Sequence, residues 1–219
     1  MVIQNIIFEK YSTLVFDCDG VLLNSNKIKT LAFYNTALPY GEEAALSLVD
    51  YHVHNGGISR YKKFEYFILN FLSYKERDNV VLPDLLEAYA AEVWNGLVNC
   101  EIASGISELR EATKLKNWLI VSGGDEEELR EIFSQRKLSH LFDGGIYGSP
   151  SNKDEILSRE MSRGNIMQPA LFFGDSQYDY EAAKRAGLDF CFVRNWSESM
   201  YDFENADFKI NSLQDLLVY

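Results

Sequence analysis

The sequence is short of the residues that build cross-linked or loop-rich scaffolds. It has three cysteines, Cys18, Cys100 and Cys191, with no CxxC spacing and one left over after any pairing, so neither a disulfide framework nor a zinc site is expected. Four prolines and 14 glycines in 219 residues predict long elements and few irregular loops. No apolar run approaches the roughly 18–20 residues that a membrane helix needs. The start, MVIQNIIFEK, lacks a basic leader, a long apolar stretch and a small-residue cleavage site; no signal peptide is expected, and the cytoplasm is the expected compartment. Positive charge is scarce as well, with 21 Lys and Arg against 33 Asp and Glu, a formal charge of −12. Such a field repels polyanions, which argues against nucleic acid and anionic membrane as partners. A small phosphate can still bind where local cations or a metal offset the field.

What is present is a globular composition, 47% hydrophobic and 25% charged, enough for one domain with a real core or one domain carrying an insert. The run TLVFD at 13–17 is apolar and stops at acidic residues and Gly20, the pattern of a buried strand ending in a functional loop. Similar strands are predicted at 118–121, 170–173 and 189–193. The second runs into Ser122-Gly123-Gly124-Asp125, then a helix with Leu129, Ile132 and Phe133 on one face and acids from 125 to 128 in its first turn, as the helix dipole prefers. The third runs into Gly174-Asp175-Ser176, then a helix through Ala182, Ala183 and Ala186 that stops at Gly187. This alternation predicts an α/β fold, a parallel sheet flanked by helices, with ligands at the carboxyl ends of the strands. Residues 25–97 read as helices alone, with apolar stripes at Phe64, Phe67, Ile68, Phe71 and Leu72 and at Leu86, Tyr89, Ala90 and Val93. Asn55-Gly56-Gly57 reads as a helix stop. The segment is expected to be an inserted all-helical cap, with 1–24 and 98–219 forming the core.

The residues suited to chemistry gather at the predicted strand ends. Asp17 and Asp19 in DCDG can face one cleft, one carboxylate attacking phosphorus while the other moves protons. Asp175 and Asp179 add carboxylates suited to Mg²⁺, a hard cation that takes oxygen ligands. Ser122 and the Gly123 N–H can hold phosphoryl oxygens at a helix N-terminus, and Lys153 can neutralise phosphate and nucleophile. Each has a plainer explanation alone: Ser122 and Ser176 as helix caps, Asp179 as a first-turn acid, Lys153 as a solvated lysine. Cys18, between the two aspartates, should point into the core.

In this order, DxDG, Ser after an apolar strand, Lys, then GDSxxD, the motifs resemble those of the haloacid dehalogenase-like phosphohydrolase superfamily over essentially the whole chain. The helical insert matches that superfamily's cap, and the branch resembled is that of phosphoglycolate phosphatase and β-phosphoglucomutase. The resemblance implies a doubly wound, Rossmann-like core with a mobile lid. It implies Asp17 as nucleophile and Mg²⁺ ligand, Asp19 as general acid/base with its carbonyl on the metal, Ser122, Gly123 and Lys153 at the phosphate, Asp175 as a further Mg²⁺ ligand and Asp179 behind the metal site. Asp154 stands where many relatives have proline, a departure that bears on the loop and not on the charge. The dehalogenase branch has no acid at the position of Asp19, so this residue points to phosphate esters, whose alkoxide must be protonated as it leaves.

The expected activity is therefore Mg²⁺-dependent hydrolysis of a small phosphomonoester, a sugar phosphate or a phosphorylated small alcohol. The alternatives are a phosphomutase of the β-phosphoglucomutase type and a non-catalytic phosphate-binding domain. Within the cap, Arg60, Lys62 and Lys63 follow a Gly-Gly turn; Arg60 or Lys63 is expected to touch the leaving part of the substrate, against the plainer reading of a solvated basic face. His52 and His54 are expected to be packing or surface histidines.

Overall fold

The computed structural model describes residues 9–201 and 203–217; most of the N-terminal stretch examined for a signal peptide, residues 1–8, lies outside them. Six strands form one parallel sheet: β1 (Thr13–Phe16), β2 (Asn117–Asp125), β3 (Gly145–Ser149), β4 (Ala170–Gly174), β5 (Asp189–Val193) and β6 (Phe208–Ile210). Their order is β3-β2-β1-β4-β5-β6, so the chain winds outward from β1 in both directions, the doubly wound Rossmann-like arrangement. Val15 of β1 is in register with Leu119 on one side and Phe172 on the other. A crevice therefore opens at the carboxyl end of β1, where the winding reverses.

The strands are apolar throughout because both faces are covered. Leu14, Phe16, Trp118, Ile120, Leu171 and Phe173 join one buried cluster, and Val15, Leu119, Val121, Phe172 and Phe190 join the other, as the two-residue period of a strand requires. Leu129, Ile132 and Phe133 of α7 (Glu126–Gln135) cover the first face, as expected from their spacing. Ile156 and Leu157 of α8 (Lys153–Ser162) and Ala182 and Ala183 of α9 (Gln177–Arg185) cover the second.

Between β1 and β2 lie only helices: α1 (Asn26–Ala37), α2 (Glu42–His54), α3 (Arg60–Asn70), α4 (Tyr74–Arg77), α5 (Leu82–Asn99) and α6 (Ile106–Ala112), with a short 3-10 turn at Leu38–Tyr40. Phe33, Phe64, Phe67, Tyr89 and Val93 pack into the same cluster as the first sheet face. Two stripes differ from their expected phase. α3 ends at Asn70, so Phe71 and Leu72 lie past its end, and α5 buries Leu85, Tyr89, Val93 and Leu97 rather than the face through Leu86 and Ala90. Among the described residues no helix is long and apolar enough to cross a membrane.

Two further points differ from expectation. β3 (GIYGS) and β6 (FKI) were not expected as strands: one carries two glycines and the other is three residues long. Ser122 was expected at a helix N-terminus, yet β2 continues through Asp125, and it is Asp125 that caps α7 by accepting from the Glu128 N–H at 2.9 Å. The register of β2 against β3 shifts between Val121 and Asp125, an irregularity that re-aims the strand end toward the crevice.

Phe16 stacks on Phe173 with ring centroids 4.9 Å apart and packs against Trp118 at 4.6 Å. Phe16→Ala is expected to cost about 3–5 kcal/mol, read from denaturant unfolding as a lower midpoint at unchanged slope.

Candidate active site

The end of β1 turns sharply, and the turn brings two aspartates to one crevice. Cys18 is fully buried, as expected, and its carbonyl accepts from the N–H groups of Leu22 and Leu23 at 2.9 and 3.0 Å. Gly20 sits at φ +75°, and a Cβ there would collide with Asp175 and Asn26; the position therefore calls for glycine on two counts. Asp17 and Asp19 both border a cavity of about 100 Å³, together with Gly123, Gly124 and Asp175.

Behind that rim lies a buried charge cluster. Lys153, the first residue of α8, places its ammonium 2.9 Å from Asp17 Oδ1 and donates to Asp179 Oδ1. It is fully buried, so the solvated-lysine reading does not hold. Asp179 Oδ2 accepts from the Ser176 hydroxyl at 2.6 Å and from the N–H groups of Ser176 and Asp175 at 3.1 and 3.3 Å. Ser176 and Asp179 do form the cap of α9, and the same carboxylate orients Lys153. Asp175 Oδ2 accepts from the Asn26 amide at 2.7 Å. Asp19 accepts from Ser25 Oγ at 2.6 Å and from Lys29 Nζ at 2.5 Å. Ser122 is buried at the end of β2, with its Oγ accepting from the Gly124 N–H at 3.0 Å. The residue after Lys153, Asp154, forks onto Arg185 at 2.7 and 3.0 Å and accepts from the Tyr178 hydroxyl at 3.1 Å, a side-chain anchor for this helix start.

Four carboxylates here face two ammoniums, and the imbalance shows in their protonation. Burial pushes Asp17 up to about 7 despite Lys153, with Asp179 and Asp19 adding to the rise. Burial, then Asp179 and Asp17, push Asp175 well above the carboxylate range. Burial alone would raise Asp19 too, but Lys29 and the Ser25 hydroxyl hold it below its ordinary value. Carboxylate oxygens of Asp17, Asp175 and Asp179 lie within 4.8 Å of one another. Asp17 Oδ1 finds no donor in hydrogen-bonding geometry, although Lys153 is near. An all-oxygen donor set with surplus negative charge and an orphaned buried oxygen fits a hard divalent cation.

Helices close the other side of the cavity, which is also lined by Lys29, Phe33, His52, Ile58, Arg60, Lys63 and Tyr89. A Cβ on Gly123 would collide with the Gly57 carbonyl, so the Gly56-Gly57 turn rests directly on the end of β2. Arg60 and Lys63 are both buried, which removes the reading of a solvated basic face; Lys62 alone of the three is exposed, paired with Glu65 at 2.8 Å. Arg60 forks onto Glu128 of α7, one arm at 2.8 Å, with its guanidinium 4.6 Å from the Tyr89 ring centroid. The Tyr61 hydroxyl donates to Asp125 at 2.5 Å. Lys63 Nζ lies 2.7 Å from His52 Nδ1. His52 packs on Phe33 at 4.5 Å, and His54 is exposed.

Sequence reading missed Asn26, Lys29 and Glu128. Asn26 and Lys29 are three apart at the start of the first helix after DCDG, a spacing that puts both on one face and could have flagged them. For Glu128, the last of four acids in a row, no such signal exists.

The sequence profile of the haloacid dehalogenase-like hydrolases matches residues 14–193. None of the curated proteins compared with the chain matches it. Among solved structures, a predicted phosphatase from Clostridium acetobutylicum superposes with a TM-score of 0.73 at 20% identity, over 95% of this chain and 97% of that one. A protein provisionally named a phosphoglycolate phosphatase, from Lactobacillus plantarum, gives 0.72 at 19% identity, over 95% and 98%. CbbY from Rhodobacter sphaeroides, in complex with phosphate, gives 0.68 at 16% identity, over 95% and 100%. At these identities the superpositions establish a shared fold.

The surplus charge makes a prediction independent of activity. MgCl₂ at about a hundred times its dissociation constant should raise Tm by roughly 5–10 °C, and Asp175→Asn should remove most of that rise in differential scanning fluorimetry. A second prediction concerns the buried fork. Glu128→Gln leaves the Arg60 guanidinium without a counter-charge and should cost about 3–5 kcal/mol, with faster hydrogen exchange at the start of α3.

Proposed function

The chain belongs to the haloacid dehalogenase-like hydrolases, and on that premise we propose that it is a Mg²⁺-dependent phosphatase that hydrolyses a small phosphomonoester through an aspartyl-phosphate on Asp17. The observation that carries this reading is the Asp17 carboxylate. It opens into the cavity, keeps one oxygen without a hydrogen-bond donor, and has Lys153 beside it and Asp19 across the same rim. The names of the structural neighbours agree with it in class, and the phosphate in the CbbY complex is the same chemistry.

In the first step an Asp17 oxygen attacks phosphorus, the ester P–O bond breaks, and Asp19 gives its proton to the departing alkoxide. In the second, Asp19 takes a proton from water as the water oxygen attacks the aspartyl-phosphate, releasing inorganic phosphate and regenerating the Asp17 carboxylate. The pair with Lys29 favours the ionised form of Asp19 that the second step needs; proton donation in the first requires that pair to loosen. Lys153, the Ser122 hydroxyl and the Gly123 N–H would hold the equatorial oxygens, where positioning and charge do most of the work in phosphoryl transfer. Asp17, Asp175 and the Asp19 carbonyl would hold Mg²⁺, which supplies positive charge to the nucleophile and the transferring group. Asp179 serves this machinery by holding Lys153. The helices from 25 to 97 act as the cap, and a cavity this small favours a metabolite over a polymer. We place the enzyme in the cytoplasm. No feature among the described residues favours a phosphomutase, which would keep its phosphoenzyme and need a bisphosphate primer, and every position of the catalytic set is filled, which disfavours a binding-only role.

The test is inorganic phosphate release from a panel of phosphorylated metabolites with Mg²⁺. Activity should vanish in EDTA and in Asp17→Asn, whose folded state should persist by circular dichroism. Asp19→Asn should lose about 10²- to 10⁴-fold on alkyl phosphates, the usual worth of a general acid, and far less on p-nitrophenyl phosphate. Equal losses on both substrates, or full activity in EDTA, would refute the mechanism.

A further inference from the structure

The first turn of α1 serves two carboxylates with two kinds of donor. Lys29 gives Asp19 a charged partner, and Asn26, three residues earlier on the same face, gives Asp175 a neutral one. The difference matters for a cation site. An ammonium on Asp175 would neutralise the carboxylate and compete with a metal for it, whereas an amide fixes its orientation and leaves its charge available. Asn26 Nδ2 donates to Asp175 Oδ2 at 2.7 Å, and among the described residues Asp175 Oδ1 accepts no hydrogen bond. The bond lies against Gly20, where a Cβ would collide with both of its atoms. A bare glycine at that position lets the amide and the carboxylate meet.

The same amide makes a second bond. Its other N–H donates to the Trp196 carbonyl at 2.8 Å; both neighbours are acceptors, which assigns the NH₂ end of the side chain. Trp196 lies just past the end of β5, and two more bonds fasten its segment to the same two elements. Ser197 Oγ donates to the Asp175 carbonyl at 2.6 Å, and Thr30 Oγ1, one turn along α1, donates to Glu198 Oε2 at 3.0 Å. Glu198 and Ser199 line the cavity together with Asn26 and Asp175. One side chain thus joins a carboxylate of the candidate metal site to a stretch of cavity wall contributed by neither the strand-end motifs nor the helical block.

We propose that Asn26 is a positioning residue for the divalent cation: it holds Asp175 by Oδ2, leaves Oδ1 to the cation, and couples occupancy of that site to the order of the 196–199 segment. This rests on the reading of Asp175 as a Mg²⁺ ligand. A carboxylate pinned by a cation restrains the Asn26 amide, which then holds Trp196 at a smaller entropic cost. The coupling is reciprocal, so a loosened segment leaves Asp175 freer and weakens the cation.

Calorimetric titration with MgCl₂ and amide hydrogen exchange test it on the full chain. Asn26→Ala should bind Mg²⁺ about 10- to 100-fold more weakly than wild type, the usual cost of losing a group that orients a metal ligand. Thr30→Ala loosens the same segment without touching Asp175, and its loss should be far smaller. Saturating MgCl₂ should slow exchange at the Ser197 and Ser199 amides of wild type, both of which are hydrogen-bonded. In Asn26→Ala that slowing should be lost even at saturation. Should this variant fail to fold, slowing in wild type still supports the coupling, and its absence still overturns it. An unchanged affinity in Asn26→Ala, an equal loss in Thr30→Ala, or exchange in wild type that ignores MgCl₂ would each overturn the proposal. The two readings separate cleanly. Mg²⁺-dependent phosphate release with unchanged affinity in Asn26→Ala refutes the Asn26 role alone. Asn26-dependent Mg²⁺ binding with no phosphate released from any ester refutes the phosphatase and supports the Asn26 role, and a wild type that binds no Mg²⁺ refutes both.

Discussion

The arrangement depends on one buried ammonium. Lys153 stands at the start of α8, between Asp17 at the end of β1 and Asp179 in the first turn of α9. Three separate segments are therefore fixed to one another by charge at the crevice of the sheet. Removing either carboxylate would leave a buried cation short of its partner, and removing the lysine would leave two buried carboxylates facing each other, the costlier error. Asp179 then orders the Asp175-Ser176 loop through three hydrogen bonds to its other oxygen. The position of Asp17 thus follows from this buried charge cluster as well as from the strand that carries it.

Charge matching also bears on the cations that the helices bring to the cavity in so acidic a chain. The sheet side offers more carboxylates than Lys153 can balance. Lys29 answers Asp19 directly, and the Asn26 amide answers Asp175 without adding charge. Both come from the first turn of α1, so the helical block and the loops that carry Asp19 and Asp175 share one electrostatic unit. The remaining imbalance, concentrated on Asp17 and Asp175, is what a divalent cation would relieve.

Much of this was legible in the sequence where local pattern and tertiary role coincide. β1, β4 and β5 are apolar runs because both faces are buried, and Asp17, Asp175, Asp179 and Lys153 sit at their ends or at helix starts that follow. The reading failed where the tertiary context alone decides. β3 pairs with a neighbour despite two glycines, since edge strands need little propensity once the sheet exists. Ser122 belongs to a strand because Asp125, not Ser122, caps the following helix. The three cations after the Gly-Gly turn look alike in sequence, and only the fold separates Lys62 in solvent from Arg60 on Glu128 and Lys63 in the cavity.

The contact between the helical block and the sheet joins apolar packing to a polar seam beside the cavity. The cavity is lined from both sides, and the Gly56-Gly57 turn rests on Gly123 and Ser176. At the turn itself a Cβ on Gly57 would meet the side chains of Ser176 and Tyr178, and one on Gly123 would meet the Gly57 carbonyl. Polar ties beside it are the Arg60–Glu128 fork and the nearby Tyr61–Asp125 bond. An ion pair is suited to this place: when the seam opens, water re-solvates both charges, and their hydration offsets much of the lost attraction. An apolar seam of the same area would gain nothing on exposure and would resist opening. On the proposal that these helices act as a cap, a polar tie of this kind lowers the cost of parting the contact there.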